Sequence, residues 1–311
     1  MRSFDVVSIN GGRYCWGVRF KIVGIGELLW DLLPGGRQLG GAPANFAYHT
    51  AALGAEGSLV SRVGNDEPGR EALEHLKKSG VRIDGIEVDQ TLPTGTVQVE
   101  VAADGQPHYE ICENVAWDEL RGESAARRAV GEADAVCFGS LAQRSERSRR
   151  TIQSLVASAS PEALRILDVN LRQTYFSKQL VEESLALANV LKVNETELPK
   201  LAGMLGLTGD EREQIQQLAG RHALQVIAYT RGGSGSLLFR DGSWSDHPGI
   251  RREVVDTVGA GDSFTSAMTL GLLSGWGLDQ INDSANRVAA YVCICAGAMP
   301  PLAEEVRALF K

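Results

Sequence analysis

Asp256-Thr257-Val258-Gly259-Ala260-Gly261-Asp262-Ser263-Phe264 is the stretch on which the reading of this chain turns. It follows a polar segment and opens a run expected to be helical over Ala260–Ser274. Glycines at a helix start let backbone N–H groups converge on one point with no Cβ in the way. Those donors, with the positive end of the helix, suit an anion or the charge that develops in a transition state. Asp262 in the same turn reads in two ways. It is a helix N-cap, or it is a general base beside a phosphate cradle, suited to deprotonating an alcohol that attacks the γ-phosphate of ATP. The turn alone leaves both open.

Outward from it, short apolar runs alternate with helical segments. KIVGIG (Lys21–Gly26), Ser58–Val63, AVCFGS (Ala135–Ser140), RILDVN (Arg165–Asn170), VLKVN (Val190–Asn194) and QVIAYT (Gln225–Thr230) read as strands. Pro43–Leu53 reads as a helix stopped by Gly54, and Asp66 caps another that runs through Lys78 to Gly80. Asp279–Cys295 is a further C-terminal helix. This order predicts an α/β fold with a mostly parallel sheet and helices on both faces. Gly85–Glu113 breaks the pattern: TVQVEV alternates, Asp104-Gly105 is a hairpin turn signal, and Pro107–Cys112 is the return strand. With Leu28–Leu39 this hairpin forms a small β lid; the alternative is an edge hairpin of the main sheet.

Composition narrows the function. In 311 residues, 31 Lys and Arg face 39 Asp and Glu, a net charge of −8, which is a poor footprint for nucleic acid or an anionic membrane. With 43% hydrophobic residues the chain is not mainly disordered. The five cysteines are scattered with no CxxC pair, which supports neither a disulfide framework nor a zinc ribbon. No secretory signal is visible, and the uncharged stretches 263–278 and 288–303 fall short of the ~20 apolar residues of a membrane helix. The cytoplasm is therefore the expected compartment. Walker A, GxGxxG, HExxH and GxSxG motifs are all absent, which leaves a nicotinamide-dependent oxidoreductase without its fingerprint.

Two more glycine clusters remain. Gly40-Gly41-Ala42-Pro43-Ala44-Asn45 permits close approach of a ligand to backbone, with Asn45 offering donors and acceptors to hydroxyls, or it is only a tight turn. Thr230-Arg231-Gly232-Gly233-Ser234-Gly235 follows an apolar strand, where α/β proteins bind ligands, or it is a plain turn into Ser236–Arg240.

GGAPANFA (Gly40–Ala47), with Gly54 and Gly64 downstream, resembles the first signature of the ribokinase-like sugar kinases, the PfkB family. DTVGAGD (Asp256–Asp262) is similar to the second, and the two stand in the expected order. The resemblance runs from Lys21 to about Pro301. GELLWDLLP (Gly26–Pro34), ENVAWD (Glu113–Asp118) and DVNLR (Asp168–Arg172) look most like bacterial fructokinases. Residues 1–20 match nothing and are read as an N-terminal extension or as an upstream misassigned start, with 21–311 a single kinase domain.

The resemblance implies a three-layer α/β sandwich with a β lid formed by about 28–39 and 85–113. It implies Asp262 as catalytic base and the amides of Gly259, Ala260 and Gly261 as an anion hole. Asp31, Gly41, Asn45, Asn170 and Arg172 are implied at the sugar, and Asn194, Thr230, Gly232, Gly235 and Asn286 at ATP. Asn194-Glu195-Thr196-Glu197 resembles the NxxE motif, so Glu197 would hold Mg²⁺ through water, and Asp256 a monovalent cation such as K⁺. Because ATP is anionic, Arg172, Lys192 or Arg231 would add local positive charge. The implied activity is ATP-dependent phosphorylation of a sugar hydroxyl, with D-fructose the leading acceptor. Ribose, 2-keto-3-deoxygluconate or a nucleoside are the alternatives within the class, and a catalytically silent sugar-binding regulator lies outside it. A homodimer through the lids is expected of an apolar lid face.

Overall fold

The computed structural model describes residues 19–33, 35–101 and 107–311. The expected extension up to residue 18 and the Asp104-Gly105 turn lie outside the described residues. Phe20 packs against the core and its carbonyl accepts the Glu56 N–H.

In chain order the first elements are β1 (Lys21–Ile25), β2 (Leu29–Leu33), β3 (Gly36–Gly40), α1 (Ala42–Ala52), β4 (Glu56–Gly64), α2 (Glu67–Lys78), β5 (Ile86–Asp89), β6 (Gly95–Val101) and β7 (Pro107–Ile111). Then come α3 (Ser124–Gly131), β8 (Ala135–Phe138), α4 (Glu146–Ala157), β9 (Leu164–Asp168), α5 (Lys178–Leu187), β10 (Val190–Asn194), α6 (Leu198–Leu205) and α7 (Glu211–His222). The chain ends with β11 (Val226–Thr230), β12 (Ser236–Arg240), β13 (Ser243–His247), α8 (Ala260–Leu273), α9 (Leu278–Val292) and α10 (Glu304–Arg307).

The large sheet has nine strands in the order β13-β12-β11-β10-β9-β8-β1-β4-β5. From β5 to β11 every pairing is parallel, and the β11–β12 and β12–β13 pairings at one edge are antiparallel. The central strands are apolar on both faces, as a sheet covered on two sides requires. Alternate residues feed opposite layers. Val23, Ile25, Val136 and Phe138 join Ile152, Leu155, Val181 and Leu218 of α4, α5 and α7. Ile22, Ala135 and Cys137 join Phe264, Met268, Ile281 and Val288 of α8 and α9. This is the three-layer sandwich expected.

The hairpin does not extend the main sheet. It forms a separate four-stranded sheet in the order β3-β2-β6-β7, with Asp31 of β2 opposite Gln38 of β3 and Val97 of β6. One part of the 85–113 segment goes elsewhere. β5 pairs with β4 in the large sheet, because buried Arg62 of β4 reaches Glu87 at 3.1 Å and Asp89 at 2.6 Å. Those two acids are buried only where that guanidinium can pair with them.

Candidate active site

The carboxyl ends of β8, β9, β10 and β11 and the amino ends of α1 and α8 meet along one edge of the large sheet, the usual ligand crevice of open α/β sheets. A pocket there is lined by Ala42, Pro43, Phe46, Cys137, Phe138, Gly139, Asp168, Asn170 and Asp262. Each helix start is built on a glycine. Gly41 precedes α1 at φ 107°, and a Cβ on it would lie 2.4 Å from the Glu27 carbonyl oxygen. Gly259 precedes α8 at φ 79°, and a Cβ there would lie 2.5 Å from the Ala298 carbonyl. No other residue meets both demands without strain.

These starts bring Asn45 and Asp262 together. The Asn45 Nδ2 donates to Asp262 Oδ2 at 2.7 Å, across 217 positions of sequence. Asp262 does not cap its own helix: α8 has no side-chain cap. Burial and the nearby Asp168 charge push its carboxyl up to about 6, with Asn45, Lys192 and Arg172 pulling back. Of the three amides expected in the anion hole, that of Ala260 donates to Thr257 O at 3.3 Å. Ser263 N–H is bonded to Gly259 O, so Gly261 and Asp262 lie between them with no backbone acceptor among the described residues. A carboxylate near pKa 6 beside free first-turn amides can take a proton from an alcohol and stabilise an anion at once.

Lys192 lies directly beneath this turn. A Cβ on Gly261 would lie 3.0 Å from its Nζ, so a side chain here would crowd the ammonium. The Nζ donates to Asp168 Oδ1 at 3.1 Å, and Asp168 Oδ2 accepts from Thr265 Oγ1 at 3.0 Å. Burial opposes the ammonium charge, but Asp168, Glu197 and Asp262 outweigh it and raise the lysine's pKa.

On the side of the small sheet, Arg172 Nη2 donates to Asn170 Oδ1 at 2.9 Å, and Asn170 is held at φ 46°. Burial lifts the Asp31 carboxyl to about 6; Arg172 lowers it and Asp256 raises it, so all three share one field. The field also contains Glu27, which was not among the expected site residues. It is 4% exposed and is pushed to about 7 by burial, with Arg172 opposing and Asp262 adding. The legible signal was an acid immediately before the apolar Leu28–Trp30.

On the other side, Asn194 pairs with Thr230 across β10 and β11. Its Oδ1 accepts from the N–H groups of Thr196 and Glu197 at 2.9 and 3.0 Å. Glu197 Oε2 accepts from Asn194 N at 3.0 Å, and its Oε1 accepts from Leu171 N at 3.2 Å, tying this turn to the Asn170–Arg172 loop. Gly232 and Gly235 lie in the short turn between β11 and β12. Asn286 is buried behind that turn, its Nδ2 donating to Ser236 Oγ at 2.7 Å and to Asn282 O at 2.8 Å. Asp256 accepts from Val258 N and Gly297 N, both at 3.0 Å. Among the described residues no cluster of three or more His, Cys, Asp or Glu forms a metal cage. No helix there is long and apolar enough to cross a membrane.

Known proteins match this arrangement. The family model described as pfkB family carbohydrate kinase matches residues 35–305. An uncharacterized sugar kinase of Pyrococcus horikoshii is 32% identical over 288 residues, 86% of this chain and 88% of that protein. Its crystal structure in complex with ATP superposes with a TM-score of 0.77, covering 89% of this chain and 94% of the other at 30% identity. A fructokinase of Klebsiella pneumoniae is 31% identical over 263 residues, 81% of this chain and 84% of that one. The fructokinase of Vibrio cholerae O395, solved with fructose, ADP and calcium, matches in fold with a TM-score of 0.77 at 24% identity, over 94% and 98% of the two chains; a double mutant of it was solved with potassium. On the family match over most of its length, the chain belongs to the PfkB family of carbohydrate kinases.

Proposed function

We propose that this kinase transfers the γ-phosphate of ATP to a sugar hydroxyl, and that its acceptor is D-fructose, giving fructose 6-phosphate. The observation that carries the reading is the Asn45–Asp262 hydrogen bond at the free amino end of α8. Asp262 is the base that takes the hydroxyl proton. The amides of Gly261 and Asp262 itself receive the transferred phosphoryl, with Gly259 shaping the turn and Lys192 supplying positive charge beneath it. The Ala260 amide of the expected Gly259–Gly261 set already donates to Thr257 O, so this reading leans on its neighbours.

Asp31, Gly41, Asn45, Asn170 and Arg172 surround the sugar. Asn194, Thr230, Gly232 and Gly235 border ATP, and Asn286 supports their turn from behind. Both Glu197 oxygens already accept a backbone N–H, which leaves lone pairs for waters of a hydrated ion and suits Mg²⁺ held mainly by phosphates. Bound there, Mg²⁺ would neutralise phosphate charge. Asp256, fixed between two amides, is the side chain for K⁺. The small sheet acts as a lid, since Asp31 on β2 faces Arg172 electrostatically.

Fructose is favoured over ribose, 2-keto-3-deoxygluconate or a nucleoside by the fructokinase-like segments and by the fructokinase relative. A coupled assay with ATP and Mg²⁺ across those acceptors tests it. The highest kcat/KM is expected for fructose. Another preferred sugar overturns the acceptor, and no turnover with any overturns catalysis in favour of a silent binder.

A further inference from the structure

Helix α1 carries Asn45, yet it begins without a cap of its own. Gly41 at the N-cap has no side chain, and the first intrahelical bond runs from Asn45 N to Gly41 O at 2.9 Å. Pro43 removes one of the orphan first-turn donors, leaving those of Ala42 and Ala44. The Ala42 N–H finds its acceptor outside the helix, in Glu27 Oε1 at 3.3 Å. Glu27 stands in the link between β1 and β2, and Gly41 in the link between β3 and α1. The two links cross at the base of the β2–β3 hairpin, where the Glu27 carbonyl fills the space a Gly41 side chain would need. The second carboxyl oxygen, Oε2, is buried with no partner among the described residues. A half-satisfied buried acid is costly, so its presence calls for a task that an apolar residue cannot perform.

We propose that Glu27 is a positioning residue of the active site: its carboxyl caps α1 across the base of the β2–β3 hairpin and so holds Asn45 in register with Asp262. The proposal rests on the sugar-kinase reading of that pair. Asn45 lies about one helical turn after Ala42, and its Oδ1 is buried without a partner among the described residues, so the bond to Asp262 is the one there that orients its amide. Displacements on the order of 1 Å at such a contact cost up to about 10²-fold in rate. Burial pushes the Glu27 carboxyl up to about 7, so that about half of it is protonated and isosteric with a neutral amide at pH 7, with Arg172 and Asp262 as the charged groups acting on it. Glutamine is therefore a close mimic, and it keeps the acceptor for Ala42.

The test compares Glu27→Leu and Glu27→Gln in the full chain, by kinetics and by hydrogen exchange of the 42–46 amides. For Glu27→Leu the expected result is a 10- to 100-fold lower kcat/KM for sugar, roughly the positioning range, with the KM for ATP within about twofold. Its 42–46 amides should exchange about fivefold faster, the loss of one cap. Glu27→Gln should stay within about threefold of wild type in both measurements. Wild-type exchange and kinetics in a folded Glu27→Leu overturn the proposal, as does a Glu27→Gln variant as impaired as Glu27→Leu. Should Glu27→Leu fail to fold, Glu27→Asp replaces it, its shorter carboxyl withdrawn from Ala42. If the wild type phosphorylates no sugar, the functional reading fails by itself, and the exchange comparison still decides the cap.

Discussion

Asp262 titrates near 6 because it lies in a desolvated turn with Asp168 close by, so it is mostly ionised at pH 7. A base must be ionised to act. kcat/KM is therefore expected to fall as pH drops through about 6, in a limb that Asp31 shares, since its carboxyl also lies near 6. A pH–rate profile flat from 7 to 5 would contradict it. Asp262→Asn keeps an acceptor for Asn45 and should lower kcat by roughly 10²–10⁴-fold, with much smaller changes in KM. Stability should move the other way. A carboxyl raised from 3.8 to about 6 contributes stability below its unfolded value and loses it as pH rises through 6. Above that pH the charge burdens the fold, so Asp262→Asn should melt no lower than wild type at pH 8, and higher if anything. The difference should vanish toward pH 4. Melting curves at the two pH values check the sign, and a less stable Asp262→Asn at pH 8 would assign the residue a structural role.

At the scale of elements, the site depends on how β9, β10 and α8 are tied. Lys192 and Asp168 are register partners on adjacent parallel strands, both about 5% exposed in their side chains. Breaking such a pair leaves one charge buried alone. Lys192→Met should cost about 3–5 kcal/mol, and adding Asp168→Asn should recover much of it, because no unpaired charge then remains. Additive losses in denaturant titrations would mean that the two side chains are not coupled. α1 gives the parallel case: Gly41→Ala places a methyl 2.4 Å from the Glu27 carbonyl at φ 107°, so it should both destabilise the chain and weaken sugar binding. Such elements were largely legible in advance. β10 spans the expected Val190–Asn194, and Asp66 caps α2 through Gly69 N at 2.8 Å. β5 was not: Ile86–Asp89 fell within the expected lid segment, and only the burial of its acids against Arg62 places it in the large sheet.

Across the whole molecule, the small sheet approaches the segment after α9, which is tied to the loop before α8. A Cβ on Gly297 would lie 3.5 Å from Gln38 of β3, and Gly297 N is the residue that Asp256 holds. A cation at Asp256 would order the segment leading into the Gly259 turn. Activity in K⁺ is expected to exceed activity in tetramethylammonium, and equal rates would remove that role. If the small sheet closes over substrate, amides of β2 and β6 should exchange more slowly with fructose and ADP together than with ADP alone. Unchanged exchange would leave the sheet a static wall.

The sequence by itself determined the local chemistry: the glycines where backbones must approach or turn, the alternation that makes a covered parallel sheet, and Asp262 in the first turn of a helix. These follow from backbone sterics and periodicity, which act over a few residues. Only the tertiary structure decided what Asp262 is. It leaves its helix uncapped and bonds instead to Asn45, 217 positions away, in surroundings whose desolvation lifts its pKa. Lys192 under Gly261 and Glu27 at Ala42 were settled in the same way. Burial and hydrogen bonding between distant segments arise only when β1, β9 and β10 assemble and bring the starts of α1 and α8 to one edge, and no periodicity in the chain encodes that meeting.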